Sequence, residues 1–456
     1  MKLVPFVHEG LGNSSYLVQV DEDVAVLIDP DRSVARYLDD AAARGLRIVA
    51  AFETHLHADF VSGTTAIAAL TQATAFVPAG AGARFQHQPI AAGARSRLGG
   101  YEVEAIGSPG HTPEHLSYLL RRQSGPPLLF SGGSLIVGGA ARTDLIASDQ
   151  TEALTRAQYT TITRAFATLP DETVLLPTHG GGSFCSAGVG GERTSTLGRE
   201  RATNPSLSLP NEDAFVNWFP GTFPAVPAYF FRMRAVNQAG PHLKHDIPRP
   251  QALEPVAFDA ARRNALVIDV REKEPYHAAH IPGAVSNTFR SVYGTWLGWV
   301  VPEGTPLLFV TDGDLLEAII DETLLVGYER FAGWLAGGMS AWEAAGLSVR
   351  SSPLVDAAAA RAALLGGAVA IDVREAGEYA TGHLPDALRV PLGTLAGVEQ
   401  LAALPRDRPI LAYCGHGERS ATAVSLLERA GFTEPMFNLD GGFDAWREAG
   451  FTVAEA

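Results

Sequence analysis

Ala412-Tyr413-Cys414-Gly415-His416-Gly417-Glu418-Arg419-Ser420 is the stretch on which the reading of this chain turns. The apolar run Pro409 to Tyr413 before it reads as a buried strand, and Ser420 to Ala430 after it as an amphipathic helix closed by Gly431. Cys414 therefore falls at the mouth of a strand–loop–helix turn, where two glycines let the loop curl tightly. Loop amides and the helix N-terminus would point at the sulfur, and Arg419 adds a fixed positive charge. In such surroundings a thiol of ordinary pKa near ~8.5 becomes a thiolate nucleophile. An ordinary buried cysteine is the alternative, but the glycine spacing, the arginine and the helix start agree on a reactive one. The site read here is Cys414 and Arg419 with the loop Gly415, His416, Gly417 and Glu418.

Outward from this loop, the last two hundred residues are an internal duplication. Val267 to Glu272 recurs as Ala370 to Glu375, and His280 to Ala284 recurs as His383 to Ala387. Gly337 to Trp342 recurs as Gly441 to Trp446. Each copy reads as an α/β module of about a hundred residues, strands alternating with helices. The copies part at the loop. Aligning Pro306 with Pro409 puts Thr311 opposite Cys414, and Asp312-Gly313-Asp314 opposite the loop glycines. The first copy thus lacks both nucleophile and loop arginine and is expected to be catalytically dead.

Residues 1 to about 235 alternate strand-like and helical segments, with histidines where strands end. Strand-like Ile48 to Phe52 runs into Thr54-His55-Leu56-His57-Ala58-Asp59-Phe60. Gly110-His111-Thr112-Pro113-Glu114-His115 and Pro177-Thr178-His179-Gly180 repeat that arrangement. Histidines and a carboxylate at successive strand ends are what a metal site on a β-scaffold needs. Cys185, just beyond His179 in a glycine-rich loop, reads as a small residue filling a tight loop, and the alternative, a sulfur relay or substrate contact near the metal mouth, is what the family resemblance given below implies. Residues 236–255 are polar and proline-bearing with no structural period, which is linker composition. The expected division is 1–235, the linker 236–255, an inactive module 256–352 and an active one 353–456.

Bulk properties agree with a multidomain enzyme. A chain of 456 residues has room for two to four domains. Its net charge of −15 argues against nucleic acid or an anionic membrane as partner. No stretch has the character of a signal peptide or a bilayer span. Two cysteines in different domains make no disulfide framework, so a reducing cytoplasm is the expected setting.

Two family resemblances cover nearly the whole chain. GNSSYLV, THLHADF, SPGHTPEH and LLPTHG, in this order, resemble the metallo-β-lactamase fold, an αββα sandwich with its metal at one edge. Phe60 stands where that fold's HxHxDH signature ends in histidine. The match is nearest to the persulfide dioxygenase branch, which resembles glyoxalase II but holds one Fe(II) and oxidises a small-thiol persulfide to sulfite with O2. The resemblance implies iron ligands at His55 and His111, and a third, an aspartate, at the position that Gly133 occupies here. Three outcomes are open: an empty structural domain; a site completed by water, His57, Asp59 or His179; or the set His55, His57 and His111, with zinc as an alternative metal. The motifs IDVRE, GHLPDA, CGHGERS and GGFDAW resemble the rhodanese family. That resemblance implies that Cys414 carries sulfane sulfur as a persulfide, and Cys-x4-Arg is the rhodanese loop length. Asp372 and Arg374 are read as tying the first strand to the active loop.

The expected protein is thus an α/β fusion of a persulfide dioxygenase with tandem rhodanese modules. Its implied substrates are a small-thiol persulfide, thiosulfate or sulfite, and O2, and its implied assembly is a dimer or tetramer. The alternatives are a sulfurtransferase on a degenerate metal scaffold and a glyoxalase II-like hydrolase.

Overall fold

A computed structural model describes residues 3–186, 191–311, 313–395 and 397–455. The chain divides into two compact units, one of residues 1–247 with 323–327, the other of residues 248–322 with 328–456.

In the first unit two six-stranded sheets face each other. One runs in the order Leu3–His8, Asn13–Gln19, Val24–Ile28, Arg47–Phe52, Thr74–Pro78, Gln88–Ile90. The other runs Ser195–Thr196, Val174–Pro177, Leu128–Gly132, Leu116–Arg121, Tyr101–Gly107, Arg95–Leu98. Successive side chains of a strand point to opposite faces, and here both faces are apolar. Tyr16, Val18, Val26, Ile28 and Phe52 of the first sheet meet Tyr118, Leu120, Phe130 and Leu176 of the second in one core. Their neighbours Leu17, Leu27 and Ala51 turn outward onto Tyr37, Ala41 and Ile67 of the helices Ala35–Ala43 and Thr64–Thr71. Leu119, Leu129 and Leu175 likewise turn outward onto Ile162, Phe166 and Phe215. The layers are therefore helix, sheet, sheet, helix: the αββα sandwich. All three histidine clusters follow strands, so they gather at one edge of it.

The second unit holds two five-stranded sheets of one topology, each all-parallel. The first runs Ala252–Leu253, Phe331–Leu335, Leu307–Val310, Leu266–Asp269, Val285–Ser286. Its counterpart runs Leu354–Val355, Met436–Leu439, Ile410–Tyr413, Val369–Asp372, Leu388–Arg389. The central strands are buried throughout, as parallel strands covered on both faces are. Thr311 and Cys414 both follow such a central strand; Asp312 lies outside the described residues.

The stretch 236–255 is more than a spacer. The helix Phe230–Ala239 runs into it, and its Ala252–Leu253 is the edge strand of the first module's sheet. A two-residue strand has no period for a sequence pattern to reveal.

The helix Glu418–Arg429 behind Cys414 packs on the first module. Glu428 there accepts from His280 Nε2 at 3.0 Å and from the Gly283 N–H at 3.1 Å, and Ser425 Oγ accepts the Ser286 N–H. Gly393 is a glycine because the Trp299 ring lies where a Cβ would stand.

Candidate active sites

Asp29 is the anchor of the first site. It is fully buried at the end of the strand Val24–Ile28, and it accepts the Thr54 N–H at 2.6 Å and the Thr54 hydroxyl at 2.8 Å. The Thr178 hydroxyl donates to it as well. One carboxylate thereby draws together the loops that carry His55 and His179.

Three imidazoles point the same nitrogen at a common centre. His111 Nδ1–H donates to the Arg142 carbonyl at 2.6 Å, which leaves its Nε2 a free lone pair. His55 Nδ1 lies 2.9 Å from Thr54 Oγ1, whose proton goes to Asp29, so the ring nitrogen is the donor. His179 Nδ1 lies 3.0 Å from Asn13 Oδ1 and 3.2 Å from Asp59 Oδ2, both acceptors. In each ring Nε2 is left unprotonated, the tautomer a metal ligand needs. The Nε2 atoms of His55 and His179 stand 3.3 Å apart, and the ligand atoms of His55, His111 and His179 all lie within 4.8 Å of one another.

These residues fit a metal. With ligand bonds of about 2.1 Å, neighbouring ligand nitrogens stand about 3.0–3.4 Å apart, and the His55–His179 separation falls in that range. The His111 Nε2 is buried with no hydrogen-bond partner among the described residues, an arrangement that costs free energy unless something binds it. Burial and the neighbouring imidazoles hold His55 well below the ordinary histidine range, and burial holds His111 down to about 3. Both rings are neutral at neutral pH, as coordination requires.

His57 goes elsewhere. Its Nε2 lies 3.0 Å from Glu53 and 3.3 Å from Asp29, and these carboxylates overcome the burial that disfavours its charge and push it up to about 10. Phe60 stacks on the same ring at 4.2 Å. The nitrogen that the structure brings together with those of His55 and His111 is that of His179, while His57 falls in two neighbouring groups of the same span, one with Asp59 and His179 and one with Asp29 and Glu53. Asp59, held by the Asn13 amide at 2.7 Å, backs His179. The Tyr229 hydroxyl and the Asn237 amide bind the carbonyls of Asp59, His57 and Phe60, which fixes the loop.

Gly133 carries no carboxylate, and the space is taken: a Cβ built there would press into the His111 ring. Its N–H donates instead to His115 Nε2 at 3.0 Å. Cys185 is fully buried beside Asp59, and burial, with that carboxylate adding, pushes its thiol well up. It is a neutral thiol in the wall of the site.

The second site is built around Cys414, which is almost fully buried at the end of Ile410–Tyr413. The Gly417 N–H donates to its sulfur at 3.1 Å and the Ser420 hydroxyl at 3.5 Å. Gly417 has φ +113°, which the turn into the helix at Glu418 requires and only glycine adopts readily. Behind the loop, the Phe443 N–H donates to the Cys414 carbonyl at 2.7 Å. Arg374 lies 4.1 Å over the Phe443 ring while its guanidinium holds buried Asp372 and the Gly382 carbonyl. Asp372 and Arg374 thus brace the loop from below. Arg419 makes two parallel bonds to Glu378, at 2.7 and 2.6 Å. His416 is exposed, 3.2 Å from Asp444, and Glu418 lies 3.9 Å from Lys273. Thr311, the counterpart of Cys414, is buried and brings no thiol.

Sequence reading passed over Asn13, Arg142, Glu378 and Asn438. Asn13 stands inside GNSSYLV and Arg142 inside ARTD, but each acts through a residue distant in sequence. No local spacing encodes such pairs.

Comparison with known proteins agrees with both halves. A rhodanese-like domain model matches residues 256–345 and again 356–449. The mitochondrial persulfide dioxygenase of Mus musculus is 30% identical over 190 residues, covering 41% of this chain and 68% of that protein. The thiosulfate sulfurtransferase GlpE of Pseudomonas fluorescens (strain SBW25) is 38% identical over 81 residues, covering 18% of this chain and 72% of that one. Among solved structures, a metallo-β-lactamase of Staphylococcus aureus subsp. aureus COL aligns with TM-score 0.66 and 30% identity, covering 74% of this chain and 98% of its own.

Proposed function

This chain belongs to the persulfide dioxygenases joined to tandem rhodanese modules, and from that premise we propose that one polypeptide runs two sulfur reactions. The first oxidises a small-thiol persulfide: one persulfide, one O2 and one water give one thiol, one sulfite and two protons. The second moves sulfane sulfur through Cys414. The observation that carries the reading is the convergence of three unprotonated Nε2 atoms in a chain that also presents a hydrogen-bonded cysteine at a rhodanese loop.

In the first site, His55, His111 and His179 would hold a single Fe(II), with zinc the alternative metal. Bound iron supplies O2 activation and a positive charge that attracts a persulfide sulfur. The protein's own part is orientation. The Arg142 carbonyl, Thr54 and Asn13 fix the three tautomers, and Asp59 raises the basicity of His179. His57 lies against Asp29 and Glu53 beneath Phe60, and in this reading it stays with those carboxylates and the metal sits on the other three histidines. That favours the mononuclear dioxygenase over a glyoxalase II-like hydrolase. Gly133 favours the alternative of a retired oxygenase, and the third histidine answers it by keeping three protein ligands.

In the second site, the Cys414 sulfur attacks the outer sulfur of thiosulfate. A Cys–S bond forms, the S–S bond of thiosulfate breaks, and sulfite leaves with the electron pair. The enzyme persulfide then sits within reach of the Gly417 N–H and Ser420 hydroxyl, which stabilise its negative charge. An acceptor thiolate attacks the outer sulfur, takes it as a small-thiol persulfide and restores Cys414. That product is the substrate class of the first reaction. With neither cysteine in a disulfide, a reducing cytoplasm is the setting we assign. Assembly into a dimer or tetramer is part of the same reading, and light scattering of the full chain reads it.

The test is O2 uptake on adding glutathione persulfide to protein reconstituted anaerobically with Fe(II), beside thiocyanate formation from thiosulfate and cyanide. His111→Ala should abolish uptake and leave sulfurtransfer intact; Cys414→Ser should do the reverse. No uptake by the reconstituted wild type would reduce the protein to a sulfurtransferase on a metal-fold scaffold.

A further inference from the structure

The Gly417 peptide faces the Cys414 sulfur with its N–H, and its carbonyl is crowded. That carbonyl accepts the Ala421 N–H at 3.0 Å, the first bond of the helix, and the Asn438 amide at 2.9 Å. The Ser420 hydroxyl, 3.1 Å away, competes for the same oxygen. A carbonyl oxygen has two lone pairs, and the two N–H donors fill them. The single Ser420 proton is then left for the Cys414 sulfur, 3.5 Å from that hydroxyl. What Asn438 does at the carbonyl therefore decides what Ser420 does at the sulfur.

Asn438 is fully buried in the strand Met436–Leu439. Its Oδ1 has no partner among the described residues, so the bonds made by its amide nitrogen are what orient the side chain. One amide proton goes to the Gly417 carbonyl and the other to His277 Nε2 at 2.9 Å. A carbonyl only accepts, so the nitrogen must be the atom that faces Gly417, and His277 Nε2 must then be the acceptor. The ring proton sits on Nδ1 and goes to Ser352 Oγ at 2.7 Å, while the Ser352 N–H returns to the His277 carbonyl at 3.0 Å. Burial, with His280 adding to it, holds His277 down to about 4, so the ring is neutral and free to accept at neutral pH. This histidine lies on the helix Lys273–Ala278 of the silent first module. The duplication sets Ala380 opposite His277 and Trp334 opposite Asn438, so neither module contains the pair by itself.

We propose that His277, supplied by the catalytically silent module, is a positioning residue for sulfur transfer: it holds the Asn438 amide on the Gly417 carbonyl and so leaves the Ser420 hydroxyl to the Cys414 sulfur. The inference rests on the reading of Cys414 as the sulfur carrier. The first module is then a working part of the second site rather than a relic. Its histidine never meets the substrate; it acts through one amide and one peptide bond. The Ser420 proton serves the sulfur when it is anionic, as the attacking thiolate and as the enzyme persulfide.

The experiment is steady-state sulfurtransfer from thiosulfate to cyanide by the full chain. His277→Leu keeps the bulk and removes the acceptor, and kcat/KM should fall about tenfold, the lower end of what a hydrogen bond to a charged group is worth. His277→Gln, whose Oε1 accepts in place of Nε2, should recover most of the loss. Ser420→Ala should itself cost about tenfold, and His277→Leu added to it less than about twofold more, because the proton it governs is gone. Asn438→Leu is the second route to the same test, with a loss of equal size that Ser420→Ala again absorbs. An unchanged rate in His277→Leu would overturn the proposal, as would a His277→Gln no better than His277→Leu. Losses that multiply in the double variants would overturn it too, since they mark a structural role only. Retained sulfurtransfer in Cys414→Ser would instead bring down the assignment of Cys414 beneath it.

Discussion

Replacing Gly417 with alanine tests the link between backbone conformation and sulfur chemistry. The residue sits at φ +113°, and an alanine Cβ there would stand 3.0 Å from Lys273 Cε, 3.2 Å from its Cδ and 3.3 Å from the Leu439 carbonyl. The lysine end can move; the carbonyl, at the end of a sheet strand, cannot. Backbone held in so sparsely populated a region costs an L-residue about 1–3 kcal/mol. At about 1.4 kcal/mol per tenfold, that shifts the loop by about 5- to 150-fold away from its present form. The form lost is the one in which the Gly417 N–H donates to the Cys414 sulfur and its carbonyl accepts from Asn438. Thiocyanate formation by Gly417→Ala should therefore fall by about that factor in kcat/KM, while O2 uptake on persulfide is unchanged. Gly431→Ala is the control. It closes the same helix at φ +78° with no atom within 4 Å, so it strains the backbone without touching the sulfur. If Gly417→Ala kept the wild-type rate, or lost no more than Gly431→Ala, the reasoning that this peptide bond serves the sulfur would be refuted.

Three further outcomes follow from the geometry. Asp59→Asn keeps the shape of the site but weakens the bond to His179 Nδ1, and affinity for Fe(II) or Zn(II), read by chelator competition, should fall about 10- to 100-fold. Asp372→Asn breaks a buried pair and should lower the stability of the second unit in urea titrations by about 3–5 kcal/mol, with sulfurtransfer lost in proportion. Glu428, which burial would raise, is instead held below the ordinary glutamate range by His280 and the Gly283 N–H, with Arg350 3.6 Å away. A depressed carboxyl stabilises the fold above its unfolded pKa and loses that contribution as pH falls through the folded value. Glu428→Gln should therefore lose less stability than wild type between pH 7 and pH 4, a difference that acid-dependent urea midpoints would register; equal losses would show the pair to be inert.

The fold was legible where pattern repeats. The duplicated IDVRE, HIPGA and GGMSAW segments place two α/β modules, and the structure gives them one strand order. The three histidine clusters were legible because each follows an apolar strand. What the sequence withheld is which histidine faces which. The motif reading put His57 among the ligands and His179 behind it, whereas the structure brings His179 beside His55 and His111 and sets His57 Nε2 3.0 Å from Glu53 and 3.3 Å from Asp29. Glu378, which engages Arg419, stands 41 positions from it and belongs to no motif. Gly133 marked a missing ligand without saying what replaced it, since only the structure puts the His111 ring against that backbone.

With His55, His111 and His179 as the proposed ligands, the site has no carboxylate in contact with the metal, and the nearest negative charge stands behind one of the histidines. Two imidazoles and a carboxylate would leave a divalent ion with a net charge of one; three neutral imidazoles leave it with two. Asp59 makes up the difference one residue further out. Its Oδ2 lies 3.2 Å from His179 Nδ1 and accepts from Asn13, and these hydrogen bonds with the charge of His57 outweigh burial to keep it ionised. A carboxylate bonded to the far nitrogen of a ligating imidazole makes that ring a stronger donor. In that proposed arrangement the negative charge stands against a ligand rather than against the metal, and the space beside Gly133 is filled by the His111 ring. A site that had merely decayed would have no reason to keep three oriented tautomers and a buried, partnerless Nε2 on His111.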